Sequence, residues 1–560
     1  MTQVPRDCDN EIVSKIGAIQ NFGTLFVADE NLNVVQVSEN VKHWLHLLPE
    51  LVLGTNLDRF LKPRQLEALM EFGENNTDCP LVPVNVTFSG GEGKLLANAV
   101  AHKSDGFLIL ELERVDRDTA DSSAEVASEL KKAVEMLRTT GSTSAMLNTV
   151  AAAVKSIAGY DRVMIYKFHA DLHGEVVVDL HEPGMDAYIG LHYPASDIPQ
   201  PARHLFAVNW TRIIVNVDDA PILLIPSETP TGTKLDMTRS VLRQPAAVHV
   251  EYLKNMGVKA SLTVSLIVDG KLWGLIACHH RTPRHVSYWI RSLCEFLGKY
   301  ASLQIQQLQL LQRVESKATV EHICAQIITE GESDALGSLF RQPTSILTQL
   351  HAESMAFVSA NVTMRSGAAP AIDSLRMFCQ WLEAQPISYQ YSTDRLSLVH
   401  MNVEWKDAEP AGVLAARCAD GWLLLFRQEY LREVSWAGDP DGSFVTDVDG
   451  RMHPRRSFAV WRETVSGQSL PWGEQETASI GTLVDVITAA TRAREGVSTI
   501  RKDVEGNMSS FNLRRALERT VDLLRVCLAD AALENEQKSR IEIIARQCET
   551  LLHLLEQDCH

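Results

Sequence analysis

Tyr193-Pro194-Ala195-Ser196-Asp197-Ile198-Pro199-Gln200-Pro201-Ala202-Arg203-His204-Leu205-Phe206 is the stretch on which the reading of this 560-residue chain turns. Proline locks its own φ and disfavours the helical region for the residue before it, so Pro194 and Pro199 bracket a stiff, extended turn that presents Asp197 before any helix begins. Upstream lies Asp161-Arg162-Val163-Met164-Ile165-Tyr166-Lys167-Phe168. Downstream lie Leu242-Arg243, His249, Tyr252, Asn255-Met256-Gly257 and Trp273-Gly274-Leu275-Ile276-Ala277-Cys278-His279-His280. Singly, each has an ordinary explanation: an arginine is most often a solvated charge or ion-pair partner, and Tyr166 and Phe206 are core aromatics. His279 and His280 are adjacent on a strand and point to opposite faces, which disfavours joint ligation, so no metal site is expected. The weight lies in the combination.

The length allows three or four domains, and 45% hydrophobic with 22% charged residues is ordinary for globular protein. A formal net charge of -18 argues against attachment to DNA or anionic membranes, so no direct nucleic-acid role is expected. No apolar run reaches the length of a membrane span, and Met1-Thr2-Gln3-Val4-Pro5-Arg6-Asp7 lacks the blocks of a signal peptide, so the chain reads as cytoplasmic. Ten cysteines are scattered without a CxxC pair. Most sit in apolar patterns and read as small buried hydrophobes. Cys8 stands apart, between Arg6-Asp7 and Asp9-Asn10-Glu11, outside any periodic segment.

Along the chain, Thr24–Ala28 and Asn33–Ser38 read as a hairpin, and Leu95–Val100 and Phe107–Leu112 as two further strands. Asp116 to Ser123 is a polar linker, followed by helices around Ala124–Arg138 and Thr143–Ile157. Leu262–Val268 meets Leu272–Ile276 across Asp269-Gly270, a hairpin signal. From about Val286 the spacing of Leu293, Leu297, Tyr300, Leu308 and Leu311, resumed at Val320, Ile323 and Ile327, predicts one long helix. It fits a dimer seam or an ordinary packed helix, and spacing does not separate the two. A third domain carries a strand at Trp422–Arg427 and a long insertion from Trp436-Ala437-Gly438-Asp439-Pro440 returning through Arg451-Met452-His453-Pro454-Arg455-Arg456-Ser457-Phe458. Beyond it, Leu513, Leu517, Val521, Leu524 and Leu528, then Ile541, Ile544, Cys548, Leu551 and Leu555, define two amphipathic helices, with Lys502 to Ser510 as a hinge before them.

The Pro-Ala-Ser-Asp-Ile-Pro stretch, its flanking segments and Pro454-Arg455-Arg456-Ser457-Phe458, extended by Trp461, Glu463, Gly467, Pro471 and Trp472, resemble phytochromes and, by the position of Cys8, bacteriophytochromes. The fold class this implies is α+β: tandem PAS, GAF and PHY domains with antiparallel sheets, joined by long helices, plus a short helical C-terminal segment. The boundaries expected are 1–115 for the PAS domain with its attachment segment, 124–315 for the GAF domain, 316–495 for the PHY domain with a tongue at about 430–475, and 496–560 for an output or dimerisation segment.

The resemblance implies biliverdin IXα, thioether-linked to Cys8 just upstream of Ile16-Gly17-Ala18-Ile19-Gln20-Asn21-Phe22-Gly23; the alternative attachment position, before the pocket histidine, is Val248 here. Carried over residue by residue, Arg212 and Arg243 would grip propionates, since a guanidinium binds a carboxylate by two hydrogen bonds. Ser261 and Thr263, two apart on a strand and so on one face, would serve the other arm. His249 would lie beside the pyrrole nitrogens, and the Asp197 carbonyl would accept from them while its side chain faces the tongue. His279 would reach the rotating ring, packed by Tyr166, Tyr193 and Phe206, with Ile198, Pro199 and Tyr252 completing the lining. Arg455 would pair with Asp197 in one state and Ser457 would replace it in the other, as the tongue changes between strand and helix.

Three departures accompany the match: Asn21-Phe22 for a usual Pro-His, Ala246 for a common serine, and Phe206 for a frequent tyrosine. The function implied is red/far-red photoreception without catalysis in this chain, signalling as a homodimer or through a protein partner. The sensory part of a light-regulated histidine kinase, and a GAF protein binding another small ligand, are the alternatives. His553 lacks the acidic residue and proline of a phosphoacceptor box.

Overall fold

The computed structural model describes residues 13–74, 84–90, 93–115, 120–330, 335–387, 389–399, 403–440, 444–446, 452–506, 518, 521 and 545. Cys8 and nearly all of the two C-terminal apolar faces lie outside these. The chain divides into two compact units, Met1–Gln312 with Arg432–Val465, and Arg313–Leu431 with Ser466–His560.

The first sheet comprises β1 (Ala18–Ile19), β2 (Gly23–Ala28), β3 (Val34–Ser38), β4 (Val84–Gly90), β5 (Gly93–Ser104) and β6 (Phe107–Arg114). β2 and β3 form the expected hairpin, with Phe26 opposite Val37. β4 is a strand that periodicity did not reveal. Helices α1 (Val41–Trp44), α2 (Pro49–Val52) and α3 (Pro63–Glu74) bring Val41, Trp44, Val52, Leu66 and Leu69 onto this sheet.

Helix α4 (Ala120–Thr139) starts inside the segment expected as a linker, because Ala120-Asp121-Ser122-Ser123 contains no helix breaker. α5 (Thr143–Ala158) opens on Ser142, whose hydroxyl accepts from Ala145 N–H, and closes on Gly159 at φ 63°. Then follow β7 (Arg162–Phe168), β8 (Gly174–His181), β9 (Leu191–Tyr193), α6 (Gln200–Val208), β10 (Thr211–Ile214), β11 (Ile222–Ile225), α7 (Ala247–Asn255), β12 (Ala260–Val268), β13 (Lys271–His280) and the long helix α8 (Tyr288–Glu330). Asp269 and Gly270, at φ 51° and 71°, turn β12 into β13 as the hairpin reading expects. β11 leaves its neighbours and pairs with β1 and β3, giving the first sheet the order β1-β11-β3-β2-β6-β5-β4.

The second sheet separates its residues by the period of two. Val163, Ile165, Val178, Leu262, Val264, Ile276 and Cys278 face α5 and α8 in one apolar core with Val150, Val154, Leu293 and Leu297. The intervening residues face the opposite way, and they include most of the candidate site. On α8 the structure refines the seam: Leu293 and Leu297 are core, whereas Trp289, Phe296, Leu303 and Leu310, seven apart, stay 47–63% exposed.

In the second unit, α9 (Ala335–Arg341) and α10 (Pro343–Gln349) precede β14 (Ser354–Ser359), β15 (Thr363–Gly367), α11 (Ile372–Ala384), β16 (Gln390–Thr393), β17 (Gly412–Cys418) and β18 (Gly421–Arg427), ordered β15-β14-β18-β17-β16. β18 alternates between two cores: Leu423 and Leu425 join the α8 end and Ile480, Leu483 and Ile487, while Trp422, Leu424 and Phe426 pack on Phe378 and Leu382 of α11.

Between β18 and α12 (Glu474–Gly506) the chain makes an excursion carrying β19 (Arg432–Ala437), β20 (Phe444–Thr446), β21 (Met452–Pro454) and β22 (Val460–Val465). β19 pairs with β22 and, in parallel, with β9, so the second sheet reads β10-β12-β13-β7-β8-β9-β19-β22. α12 runs unbroken through position 496 and through Lys502–Gly506, so the described part of the expected hinge is helix. Cys278, Cys294, Cys324, Cys379 and Cys418 are buried free thiols. No described helix is long and apolar enough to cross a membrane.

Candidate functional site

The open face of the second sheet is defined by cross-strand pairs. Arg212 lies opposite Thr263 and Ile214 opposite Ser261; Ser261 lies opposite His279, and His279 opposite Arg162; Leu275 lies opposite Tyr166. Directly opposed residues share a face, so Arg212, Ser261, Thr263, His279, Arg162 and Tyr166 all belong to one surface. Over it lie α6, which buries none of its residues fully, and α7, which buries only Leu253. Two helices roofing a sheet without closing on it leave room between.

The proline-bracketed turn sits at one side of this space. Pro194 and Pro199 are extended, at ψ 154° and 162°, as expected. Ala195–Asp197 between them, however, form one tight 3-10 turn rather than an extended run, closed by Asp197 N–H donating to the Pro194 carbonyl at 3.0 Å. Arg203, one turn into α6, donates to the Ala195 and Ile198 carbonyls and fixes the turn from inside. Ile198 and Phe206 pack in a cluster with Tyr166, Tyr193, Leu191 and Leu275, joined by Ala437 and Phe458 of the excursion. Tyr166 and Tyr193 rings lie 5.7 Å apart. Gly174 permits this: a methyl group there would lie 1.8 Å from the Tyr166 ring.

Asp197 points at the excursion. Its Oδ1 accepts from Arg455 Nη2 at 2.8 Å and its Oδ2 from the Tyr252 hydroxyl at 3.1 Å, and both charged side chains are only 3% exposed. Arg455 also donates to the Ala437 carbonyl, its own carbonyl accepts from Asn255 Nδ2 at 3.0 Å, and Phe458 meets the Tyr252 ring edge-on at 5.1 Å. Gly438, at φ 85°, lets Arg455 and the Ser457 carbonyl come this close, since a Cβ there would stand 2.5 Å from that carbonyl oxygen. Burial pushes the Asp197 carboxyl up to about 6, against the downward pull of Arg455 and Tyr252. Ser457 is exposed and its hydroxyl accepts from Ala459 N–H, so Arg455 and not Ser457 engages Asp197 here.

His249 is exposed to solvent at its surface, yet burial among its neighbours, then Arg212, lower it to about 4. Its ring lies nearly parallel to that of Tyr252 at 6.4 Å. His279 is lowered to about 3 by burial and then by Arg162, so both imidazoles are neutral at pH 7. His279 Nδ1 and the Tyr193 hydroxyl are buried without a partner. Arg212 donates to the Val241 and Arg243 carbonyls, and Arg243 to those of Met237 and Thr238 at 3.1 and 2.9 Å. This loop is held in turn by Glu111, which accepts from Val241 and Leu242 N–H and which burial pushes up to about 7. Ala246 begins α7 without a side-chain cap, and Phe22 packs between two apolar clusters with its ring 5.7 Å from His285.

Of the site residues expected from sequence, Tyr166, Arg212, Ser261, Thr263 and His279 share the sheet face, Tyr193, Ile198 and Phe206 cluster with Tyr166, Asp197 bonds Tyr252 with His249 beside it, and Arg243 turns to the loop carbonyls. Cys8 lies outside the described residues, and Ser457 is on the exposed side of the excursion. Sequence reading missed Arg162, Asp179 and Arg203. Arg162 and Asp179 form a buried pair at 3.1 Å beside His279, and Arg162 lies 3.7 Å over the Tyr188 ring. An arginine and an aspartate inside two apolar strands were the available signal.

Family models match three segments: "PAS fold" at residues 8–115, "GAF domain" at 142–307 and "Phytochrome region" at 316–495. Cyanobacterial phytochrome B of Nostoc sp. is 32% identical over 92% of this chain and 68% of its own length. Phytochrome-like protein Cph1 of Synechocystis sp. is 32% identical over 87% of this chain and 67% of its own. The chain therefore spans about two thirds of the length of these relatives. Among solved structures, a bacteriophytochrome of R. palustris superposes with a TM-score of 0.78 at 29% identity, and the Stigmatella aurantiaca phytochrome photosensory core module with 0.76 at 32%; both alignments cover 87% of this chain and nearly all of the other.

Proposed function

Because this chain belongs to the phytochromes, as a PAS–GAF–PHY photosensory core and so a red/far-red photoreceptor, we propose that it works with biliverdin IXα held by a thioether to Cys8. The observation that carries the reading is the pair of orphaned buried polar atoms, His279 Nδ1 and the Tyr193 hydroxyl, on a face that also holds Arg162 and Arg212, with the Asp197–Arg455 pair at its side. A linear tetrapyrrole, with polar ends, carboxylate arms and a long apolar body, fits that donor set. When bound, the bilin supplies absorption and a light-driven double-bond isomerisation.

The chain's own residues have separate duties. His279 and Tyr193 offer hydrogen bonds to a polar end, while Tyr166, Ile198, Pro199 and Phe206 exclude water around it. Arg212 and Arg243 bind carboxylates by sharing guanidinium donors with the 237–243 carbonyls, and Ser261 and Thr263 serve the second arm from the same face. His249, beside Tyr252, would stand next to the pyrrole nitrogens, and the Asp197 carbonyl would accept from them. Asp197 then links the pocket to the excursion: exchange of its Arg455 partner for Ser457 releases β19 and β22, a discrete two-state element of the kind that carries a signal. The signal passes along α8 and α12 to the C-terminal segment or to a protein partner, which includes a kinase module in the alternative reading. A relative from Ceratodon purpureus bears the name Light-sensor Protein kinase, and the chain covers 39% of it.

The test is absorbance of protein assembled with biliverdin, in darkness and after red and far-red light. Reversible interconversion is expected, with the pigment lost on denaturation in Cys8→Ser but not in wild type. Absence of bilin uptake would overturn the reading.

We also propose a homodimer along α8, supported by Trp289, Phe296, Leu303 and Leu310, an exposed apolar line at the heptad step. Leu303→Arg together with Leu310→Arg is expected to give monomers by light scattering with the absorption band unchanged; an undisturbed dimer would place the seam elsewhere.

A further inference from the structure

We propose that His169, His173 and His192 form a site for one divalent transition-metal ion of the zinc class, placed against the strand through which the excursion joins the second sheet. The site is separate from the pocket, and ion binding stands apart from the photoreceptor reading; only its effect on the switch rests on that reading.

The hairpin between β7 and β8 creates it. Leu172, at φ 69°, tightens the turn, His169 N–H donates to the His173 carbonyl at 2.9 Å, and the two imidazoles stack with centroids 4.3 Å apart and planes 5° from parallel. The β8–β9 pairing sets Glu175 opposite His192 and brings the His192 ring 5.1 Å from that of His173. One nitrogen from each ring lies within 4.8 Å of the other two. A tetrahedral zinc with bonds of about 2.0–2.1 Å needs its ligands roughly 3.4 Å apart, so ring rotations suffice to close the set.

Two of the three rings already have one nitrogen on a carboxylate. Glu175 Oε2 lies 2.9 Å from His169 Nε2, and Asp171 Oδ1 bonds His173 Nδ1. A carboxylate on one ring nitrogen fixes the tautomer and leaves the other as a lone-pair donor. His192 Nδ1 is buried with no partner. Aromatic stacking alone accounts for neither the two carboxylates nor that orphan. Three imidazoles select zinc, copper or nickel over magnesium or calcium, and a water completes the coordination.

Trp436 of β19 lies opposite His192 in the strand pairing, with its ring 5.7 Å from His192 and 5.8 Å from His173. An ion that locks those rings favours the state in which β19 is paired, and the coupling is reciprocal: pairing tightens the ion. The site therefore makes the switch element responsive to metal.

The test uses the full chain without an added histidine tag, stripped with chelator and titrated with Zn2+ by calorimetry. One ion per chain at micromolar affinity is expected, weakened at least tenfold in His173→Gln and in His192→Gln, with unchanged thermal melts of the metal-free proteins. Trp436→Phe should keep the ion but lose the zinc-dependent change in tryptophan fluorescence. Co2+ added to wild type, which needs no variant, should show the intense ligand-field bands of a tetrahedral nitrogen site. No saturable binding, or equal affinity in wild type and the His173→Gln/His192→Gln double variant, would overturn the proposal.

Discussion

Arg455→Ala is expected to detach the excursion from the second sheet. The change leaves Asp197 as a buried carboxyl with Tyr252 as its remaining side-chain partner, and breaking a buried ion pair from one side costs about 3–5 kcal/mol, several times a surface pair. The same guanidinium also donates to Ala437 at the end of β19, so the strand loses a fastening together with the charge. Amides of Arg432–Val465 should exchange with deuterium on the order of a hundredfold faster. Adding Asp197→Asn should recover part of the loss, because the buried acid left without its cation is then absent. Unchanged exchange in Arg455→Ala would show that strand pairing alone holds the excursion.

The same pair predicts a pH dependence. Burial raises Asp197 from 3.8 to about 6, so the folded state binds its proton more tightly than the unfolded chain. The resulting contribution to stability is complete below 3.8 and is lost as pH rises through about 6. Above that midpoint the carboxylate faces Arg455 as an ion; below it a neutral acid remains hydrogen-bonded. Exchange protection of β19–β22 and the absorption spectrum should both change with a midpoint near 6. The transition should be absent in Asp197→Asn.

Local chemistry made much of this legible. The hairpins at Gly23–Ser38 and Ala260–His280 and the helix α8 were visible because alternation, Asp-Gly turns and helical spacing are short-range signals. What escaped depends on distant partners. β11 joins the first sheet rather than its own neighbours, and nothing in Ile222–Ile225 distinguishes the two. The exposed line on α8 was hidden by the core line beside it, because both repeat at compatible steps and only packing tells which face is covered. At the site, the resemblance named the residues around the pocket, and the structure supplied what they touch: Arg212 and Arg243 on loop carbonyls, Asp197 on Arg455 and Tyr252. His169 and His173 were missed because four residues apart suggests a helix face, whereas a turn residue at positive φ stacks them across a hairpin.

The second large effect is expected at Arg162, beneath the pocket. Arg162 and Asp179 are 3% and 1% exposed, with Nε and Oδ1 3.1 Å apart in ionic contact. Asp179 is tied by its other oxygen to Tyr188 N–H at 2.7 Å, the guanidinium lies 3.7 Å over the Tyr188 ring, and Arg162 donates to the Asp186 carbonyl. The pair therefore anchors the loop between β8 and β9, which leads directly into the proline-bracketed turn. Arg162→Ala removes the cation and keeps the buried carboxylate, an imbalance worth about 3–5 kcal/mol, and it frees the loop as well. Asp179→Asn keeps the amide acceptor for Tyr188 and should cost less. Arg162→Met, which restores the apolar stem without the charge, should fall no better than Arg162→Ala if the carboxylate dominates, and clearly better if packing does. His279 lies opposite Arg162, and burial first, then Arg162, hold it near 3, so removing that cation and leaving the Asp179 carboxylate works in the direction of raising it. Urea unfolding of the three variants checks this: a loss below about 1 kcal/mol in Arg162→Ala would show that the pair does not anchor the loop.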